Sequence, residues 1–209
     1  MKLRVVKIKV CGFTREEDLV KAQELGIDYV GFILYPKSPR FVEWGRLERL
    51  LKCVVKAKKV AVMVNPSKEE VLKAFDMGFD LVQLHGEESY SFVKNLDLGR
   101  VIKAFRVKEG FKVGQEWKGV YAVLLDAYSP QSYGGTGRLT DWDLAKRTVE
   151  EGFRVFLAGG LNPQNVSRAV GYVKPYAVDV SSGVESSPGV KDHKKLEEFI
   201  NAVKNAPKD

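Results

Sequence analysis

Short β-branched runs alternate with amphipathic stretches along the whole chain, and that alternation sets the expected elements. Strands are predicted over 5–10, 29–34, 60–64, 81–84, 101–105, 120–125, 155–158 and 176–180. Between them apolar residues recur at helical spacing: Leu19, Ala22 and Leu25; Leu47, Leu50, Leu51 and Val54; Tyr90, Val93 and Leu96; Trp142, Ala145 and Val149; Leu196, Phe199, Ile200 and Val203. Thr14-Arg15-Glu16-Glu17 and Ser67 through Glu70 read as capping boxes, and the helices they open are expected to stop at Gly26 and near Gly78. Thr140 or Asp141 is expected to cap another helix. Asn162-Pro163 is predicted to open a helix with Asn as N-cap and Pro in the first position, burying Val166, Ala169 and Val170 and running out near Gly171. The connection over 106–119 is broken by glycines and gives the weakest helix of the set.

Eight strand–helix units follow one another with no linker, low-complexity tract or break in composition. The expectation is an α/β protein with one domain over 1–209, folded as a single (β/α)8 TIM barrel. An open doubly wound sheet would carry a G-x-G-x-x-G turn after its first strand, whereas this chain has CGFTRE there. Ligands of such a barrel sit at the C-terminal ends of the strands.

Composition narrows the partners. With 34 Lys and Arg against 27 Asp and Glu the chain is basic at +7, but its cations are interspersed with Glu along helix faces. Without a basic stripe interleaved with aromatics, the charge suits solubility and anionic small molecules rather than nucleic acid. No stretch approaches a membrane span, and the opening MKLRVVKIKV reads as a charged strand, so a cytosolic location is expected. The two cysteines, Cys11 and Cys53, form neither a metal spacing nor a disulfide framework.

Candidate chemistry gathers where the strands end. Period-two alternation puts Lys7, Lys9 and Cys11 on one face, and it groups Gln83 with His85, Leu124 with Asp126 and Asp179 with Ser181. The charged members are tolerable only toward a polar barrel mouth, which would collect Cys11, His85, Asp126 and Asp179, with Arg40 from the loop above. Each has a plain structural reading too: a free Cys is commonly inert packing, a lone Asp a turn residue, a lone Arg solvated. Lys9 could serve the Cys11 thiol or pair with Asp179 for structure alone. Gly159-Gly160 and Ser182-Gly183 end the last two strands, and two such loops on one edge point their N–H groups at an anion. No His–carboxylate pair has metal spacing, so no metal is expected. The Gly134-Gly135-Thr136-Gly137 run lacks the G-K-[ST] of a nucleotide loop, and 127–138 reads as a lid.

Six segments, KVCGFT, GFILYPKSPRF, VQLHGEE, VLLDAYSPQSYGGTG, LAGGLNPQNV and VDVSSGVE, resemble in order the strand-end motifs of the phosphoribosylanthranilate isomerase family. The resemblance spans the first strand to the last helix. It implies a barrel without cofactor or metal, monomeric or homodimeric, acting on a phosphosugar. The implied reaction is the Amadori rearrangement of N-(5-phosphoribosyl)anthranilate to 1-(2-carboxyphenylamino)-1-deoxyribulose 5-phosphate. By the same resemblance Asp126 is the general acid, Cys11 the general base and Arg40 the holder of the anthranilate carboxylate. Gly159, Gly160, Ser182 and Gly183 fall in the phosphate loops, and His85 and Asp179 line the mouth. An acid of this kind needs burial or nearby negative charge to keep its proton, and a thiol base needs a nearby cation. Another phosphosugar barrel, such as a ribulose-phosphate epimerase or indole-glycerol-phosphate synthase, is the alternative. The first would want metal-ligating His and Asp, and this chain has two His. A non-catalytic phosphometabolite binder would not need both an acid and a base position filled.

Overall fold

A computed structural model of the chain describes residues 5–127 and 139–207. Eight strands, β1 (Lys7–Cys11), β2 (Tyr29–Ile33), β3 (Lys58–Met63), β4 (Leu81–Leu84), β5 (Val101–Val107), β6 (Ala122–Ala127), β7 (Val155–Leu157) and β8 (Ala177–Val180), pair in parallel in chain order. The ring closes where β1 meets β8, with Lys9 opposite Asp179 and Val10 opposite Val180. Helices α1 (Glu16–Glu24), α2 (Trp44–Lys52), α3 (Lys68–Asp76), α4 (Tyr90–Val93), α5 (Trp142–Glu150), α6 (Val166–Val173) and α7 (His193–Lys204) lie between and after the strands, making a (β/α)8 barrel. Parallel strands covered on both faces must be apolar on both faces, which is why the strands read as nearly unbroken β-branched runs.

Alternation then divides the apolar side chains into two cores. Ile8, Val10, Val30 and Phe32 belong to the outer core, with Leu19, Leu47, Leu196 and Phe199 of the helices. Cys11, Val60, Leu81, Ile102, Leu124 and Phe156 belong to the lumen. At the N-terminal end of the lumen the Tyr29 hydroxyl lies 2.7 Å from that of Tyr121 and 3.3 Å from that of Tyr176, closing the barrel floor. Chemistry is left for the other end.

Helix ends follow local rules in some places and tertiary structure in others. At α3 the capping box forms as expected: the Ser67 hydroxyl accepts from the Glu70 N–H and the Glu70 carboxylate from the Ser67 N–H. At α1 it does not. Thr14 instead donates its hydroxyl to the Gly189 carbonyl at 2.6 Å, and Arg15 is the N-cap with no side-chain bond. Asp141, not Thr140, caps α5, while Thr140 donates to the Ala158 carbonyl. Asn162 does bond the N–H groups of Gln164 and Asn165, but those residues form a turn and α6 begins only at Val166. Near Gly171, as expected, α6 runs out: it ends at Val173, where Lys174 takes a left-handed conformation, φ 52°. The connection 106–119 holds only a 3-10 turn, Gln115–Gly119. Most of the expected lid, 128–138, lies outside the described residues. An antiparallel hairpin of β9 (Glu185–Ser187) and β10 (Val190–Lys191) follows β8, and its short polar strands give no sequence signal.

Candidate active site

Three inward positions at the upper end of β1 and β8 form one cluster. Lys9, with no exposed side-chain surface, donates to Asp179 at 2.9 Å, and Cys11 stands two residues further up the same face. Burial works against the Lys9 ammonium, but the Asp179 carboxylate and the Cys11 thiol outweigh it and raise its pKa. Burial likewise pushes the Cys11 thiol above its ordinary value, against the pull of Lys9, Lys191 and Arg40. Lys9 thus pairs with Asp179 and stands two residues below the thiol on the same face. Across the ladder from Cys11 lies Gly31, where a Cβ would stand 2.8 Å from the Cys11 sulfur. Space for the thiol depends on that glycine, which composition alone does not single out.

A second group faces it from β4 and β6. Gln83 Nε2 lies 2.9 Å from His85 Nδ1, and His85 Nε2 lies 3.4 Å from Asp126 Oδ2 without the alignment of a hydrogen bond. The other Asp126 oxygen accepts from the Ala127 N–H at 2.8 Å. Asp126 is 5% exposed, so its carboxyl meets the lumen rather than bulk water. Asp179 links the groups, since its carboxylate feels both Lys9 and the charge of Asp126. A cavity of about 290 Å³ opens beside His85 above β4 and β5, bordered by Lys103, Phe105 and Phe111.

The two glycine loops meet on the opposite side. Gly159 and Gly160 are both left-handed, φ 84° and 64°, and Asn165 Nδ2 holds the Gly160 carbonyl at 2.9 Å. A Cβ on Gly183 would fall 2.0 Å from the Leu161 carbonyl oxygen, so the loops after β7 and β8 can touch only through glycine. Among the described residues, no turn or loop carbonyl takes up the N–H groups of Gly159, Gly160, Ser182 or Gly183. N–H groups at two neighbouring glycine-lined strand ends suit an anion.

Arg40 arches over Gly12, whose absent Cβ would lie 2.6 Å from the Arg40 Cδ. Its guanidinium pairs with Glu185, and Glu185 also takes Lys191 at 2.8 Å. Burial opposes ionisation of Glu185, but these two cations hold its carboxyl below the ordinary range. Burial draws the Lys191 ammonium below its ordinary pKa, against the pull of Glu185. Lys191 and the Ser181 hydroxyl both donate to the Cys11 carbonyl, at 2.5 and 3.1 Å. Glu185 and Lys191 escape a reading of the sequence because they sit on the unforeseen hairpin. Glu185 closes the VDVSSGVE segment without any local signal of its role, and Lys191 lies six residues beyond it. Among the described residues no three His, Cys, Asp or Glu side chains are grouped to hold a metal ion.

A barrel with a carboxyl, a thiol and two glycine loops at one mouth invites comparison with known enzymes. The family model for N-(5'phosphoribosyl)anthranilate (PRA) isomerase matches residues 8–202. The chain belongs to the PRA isomerase family. The N-(5'-phosphoribosyl)anthranilate isomerase of Aquifex aeolicus is 49% identical over 203 residues, 96% of this chain and 100% of that one. The crystal structure of phosphoribosyl anthranilate isomerase from Thermotoga maritima is 36% identical, with a TM-score of 0.84 over 95% of this chain and 98% of that one. A PRA isomerase solved in complex with reduced 1-(o-carboxyphenylamino)-1-deoxyribulose 5-phosphate is 35% identical, with a TM-score of 0.81 over the same 95% and 98%. Among the described residues, no helix of this family member is long and apolar enough to cross a membrane.

Proposed function

We propose that this member of the PRA isomerase family carries out its rearrangement with Cys11 as general base and Asp126 as general acid. Family membership makes it an isomerase of tryptophan biosynthesis, acting on N-(5'-phosphoribosyl)anthranilate. Asp126 gives its proton to the furanose ring oxygen as the bond from C1 to that oxygen breaks. The anilino nitrogen lone pair closes onto C1 as an iminium. The Cys11 thiolate then removes the proton on C2, and those electrons form the enolamine C1=C2. Tautomerisation to the ketone completes an isomerisation in which no atom is gained or lost.

One observation carries the assignment: a nearly buried thiol and a nearly buried carboxyl, 6% and 5% exposed, both end in the lumen from β1 and β6. Each step needs one proton moved on a different side of the sugar, and strands three places apart in the ring flank a bound ligand. Lys9, Lys191 and Arg40 favour the thiolate. The N–H groups of Gly159, Gly160, Ser182 and Gly183 receive the phosphate, Arg40 the anthranilate carboxylate, and His85 and Asp179 line the cup between them. Both cysteines are unpaired thiols, in keeping with a reducing cytosol.

The anthranilate fluorescence of the substrate provides the assay. Cys11→Ala and Asp126→Asn should each lower kcat by about 10²-fold or more, with an unchanged far-UV spectrum. Wild-type turnover in either variant would dismiss that residue from its role.

A further inference from the structure

The guanidinium of Arg40 does not meet the mouth as an unengaged fork. Its Nε lies 3.0 Å from both carboxylate oxygens of Glu185, and its Nη2 lies 2.7 Å from Oε2. The side-on pair of N–H donors is thereby committed inside the protein. What remains is the end-on pair, one hydrogen on Nη1 and the second on Nη2, which is equally able to take a carboxylate with two parallel bonds. Arg40 is 8% exposed and Glu185 7%, so little water screens the pair.

An arginine closed on a glutamate carries no net charge and would draw a ligand carboxylate weakly. Lys191 alters that balance. Its wholly buried ammonium lies 2.8 Å from Glu185 Oε1, the oxygen shared with Arg40 Nε. Arg40, Glu185 and Lys191 together therefore hold one net positive charge. The same ammonium reaches the Cys11 carbonyl, so the cluster is braced against the residue that carries the thiol.

We propose that Glu185 and Lys191 are positioning residues for carboxylate recognition: Glu185 turns the end-on edge of Arg40 toward the ligand, and Lys191 restores the positive charge that Glu185 would otherwise cancel. This rests on the reading that Arg40 receives the carboxylate. A flexible arginine would have to be ordered on binding, whereas one already gripped at two nitrogens loses little rotamer freedom. The competing reading is a strut for the hairpin, because Glu185 Oε1 also accepts from the Gly189 N–H at 3.3 Å and the Glu185 carbonyl from Lys195.

Discrimination separates the two. The full-length chain is titrated with the reaction product and with its counterpart lacking the carboxyl group, and the ratio of the two dissociation constants is read. Lys191→Met, which removes the compensating charge, and Glu185→Asp, which keeps the carboxylate but draws it one methylene away from Arg40, should each reduce that ratio about tenfold or more, the loss of one good charge-assisted contact. Affinity for the decarboxylated counterpart should stay within about twofold of wild type in both. A ratio that stays at its wild-type value, or equal losses for both ligands, makes the cluster a strut and overturns the proposal. If Lys191→Met does not fold, Glu185→Asp, which leaves every charge in place, still carries the test, with the same fall in the ratio expected. Arg40→Ala is the control on the underlying reading. If it too leaves the ratio unchanged, Arg40 does not hold the carboxylate; if it alone collapses the ratio, only the roles of Glu185 and Lys191 fail.

Discussion

Cys11 and Gly31 face each other on neighbouring strands, and the 2.8 Å separation between the sulfur and a Cβ at Gly31 is too short for two atoms to share. Gly31→Ala should therefore push the thiol off its line. The expected result is a kcat about tenfold or more below wild type at similar KM, since misplacing a catalytic group by a fraction of an ångström weakens the chemistry before it weakens binding. Steady-state kinetics at saturating substrate would check it, and an unchanged kcat would mean that the sulfur's placement is not limiting. Lys9 acts on the same thiol through charge. A thiolate base makes kcat/KM climb with pH through the thiol pKa, which burial holds high and Lys9 pulls down. Lys9→Met removes that cation and unpairs Asp179, and both effects raise the thiol pKa. The rising limb of the pH profile should move to higher pH by roughly one unit or more. A limb that stays in place would take Lys9 out of the mechanism and leave it a structural partner of Asp179.

Elements were legible wherever their cause is local. The Ser67–Glu70 box needs only four residues and forms as written, and Ser67→Ala should cost about 1 kcal/mol of stability with kcat and KM unchanged. A thermal melt alongside the fluorescence assay would test this, and any loss of activity in excess of unfolding would tie α3 to the site. Thr14 offers the same four-residue pattern and fails, because the hairpin 175 residues later offers its hydroxyl a carbonyl at 2.6 Å. Near Gly171 the helix does run out, at Val173, but Lys174 rather than a glycine takes the left-handed turn. Strand alternation, with the cost of burying charge among the outer helices, places Cys11, Asp126, His85 and Asp179 on the inner face, while the roles of Cys11 and Asp126 come from the family resemblance. Glu185, Lys191 and Gly31 matter through contacts with other elements, and no local period records those.

At the scale of the whole barrel, stability and chemistry occupy opposite ends. The tyrosine hydroxyls of β2 and of the residues just before β6 and β8 close the floor, where Lys7 pairs with Asp28, while Lys9, Asp179, His85 and Asp126 stand above them toward the mouth. The ring is completed by the pairing of β1 with β8, elements about 170 residues apart in the chain.

That closure has a kinetic meaning through the carbonyl of Cys11, which receives Ser181 and Lys191 from 170 and 180 residues downstream. Contacts between such distant segments form slowly, after nearer pairings are in place. In refolding from denaturant, the far-UV signal should recover before the capacity to bind product does, and stopped-flow measurements of the two would separate them. Simultaneous recovery would mean that the ring closes as early as its individual strands pair. The surroundings of the first strand's thiol are thus finished by segments synthesised 170 to 180 residues after it.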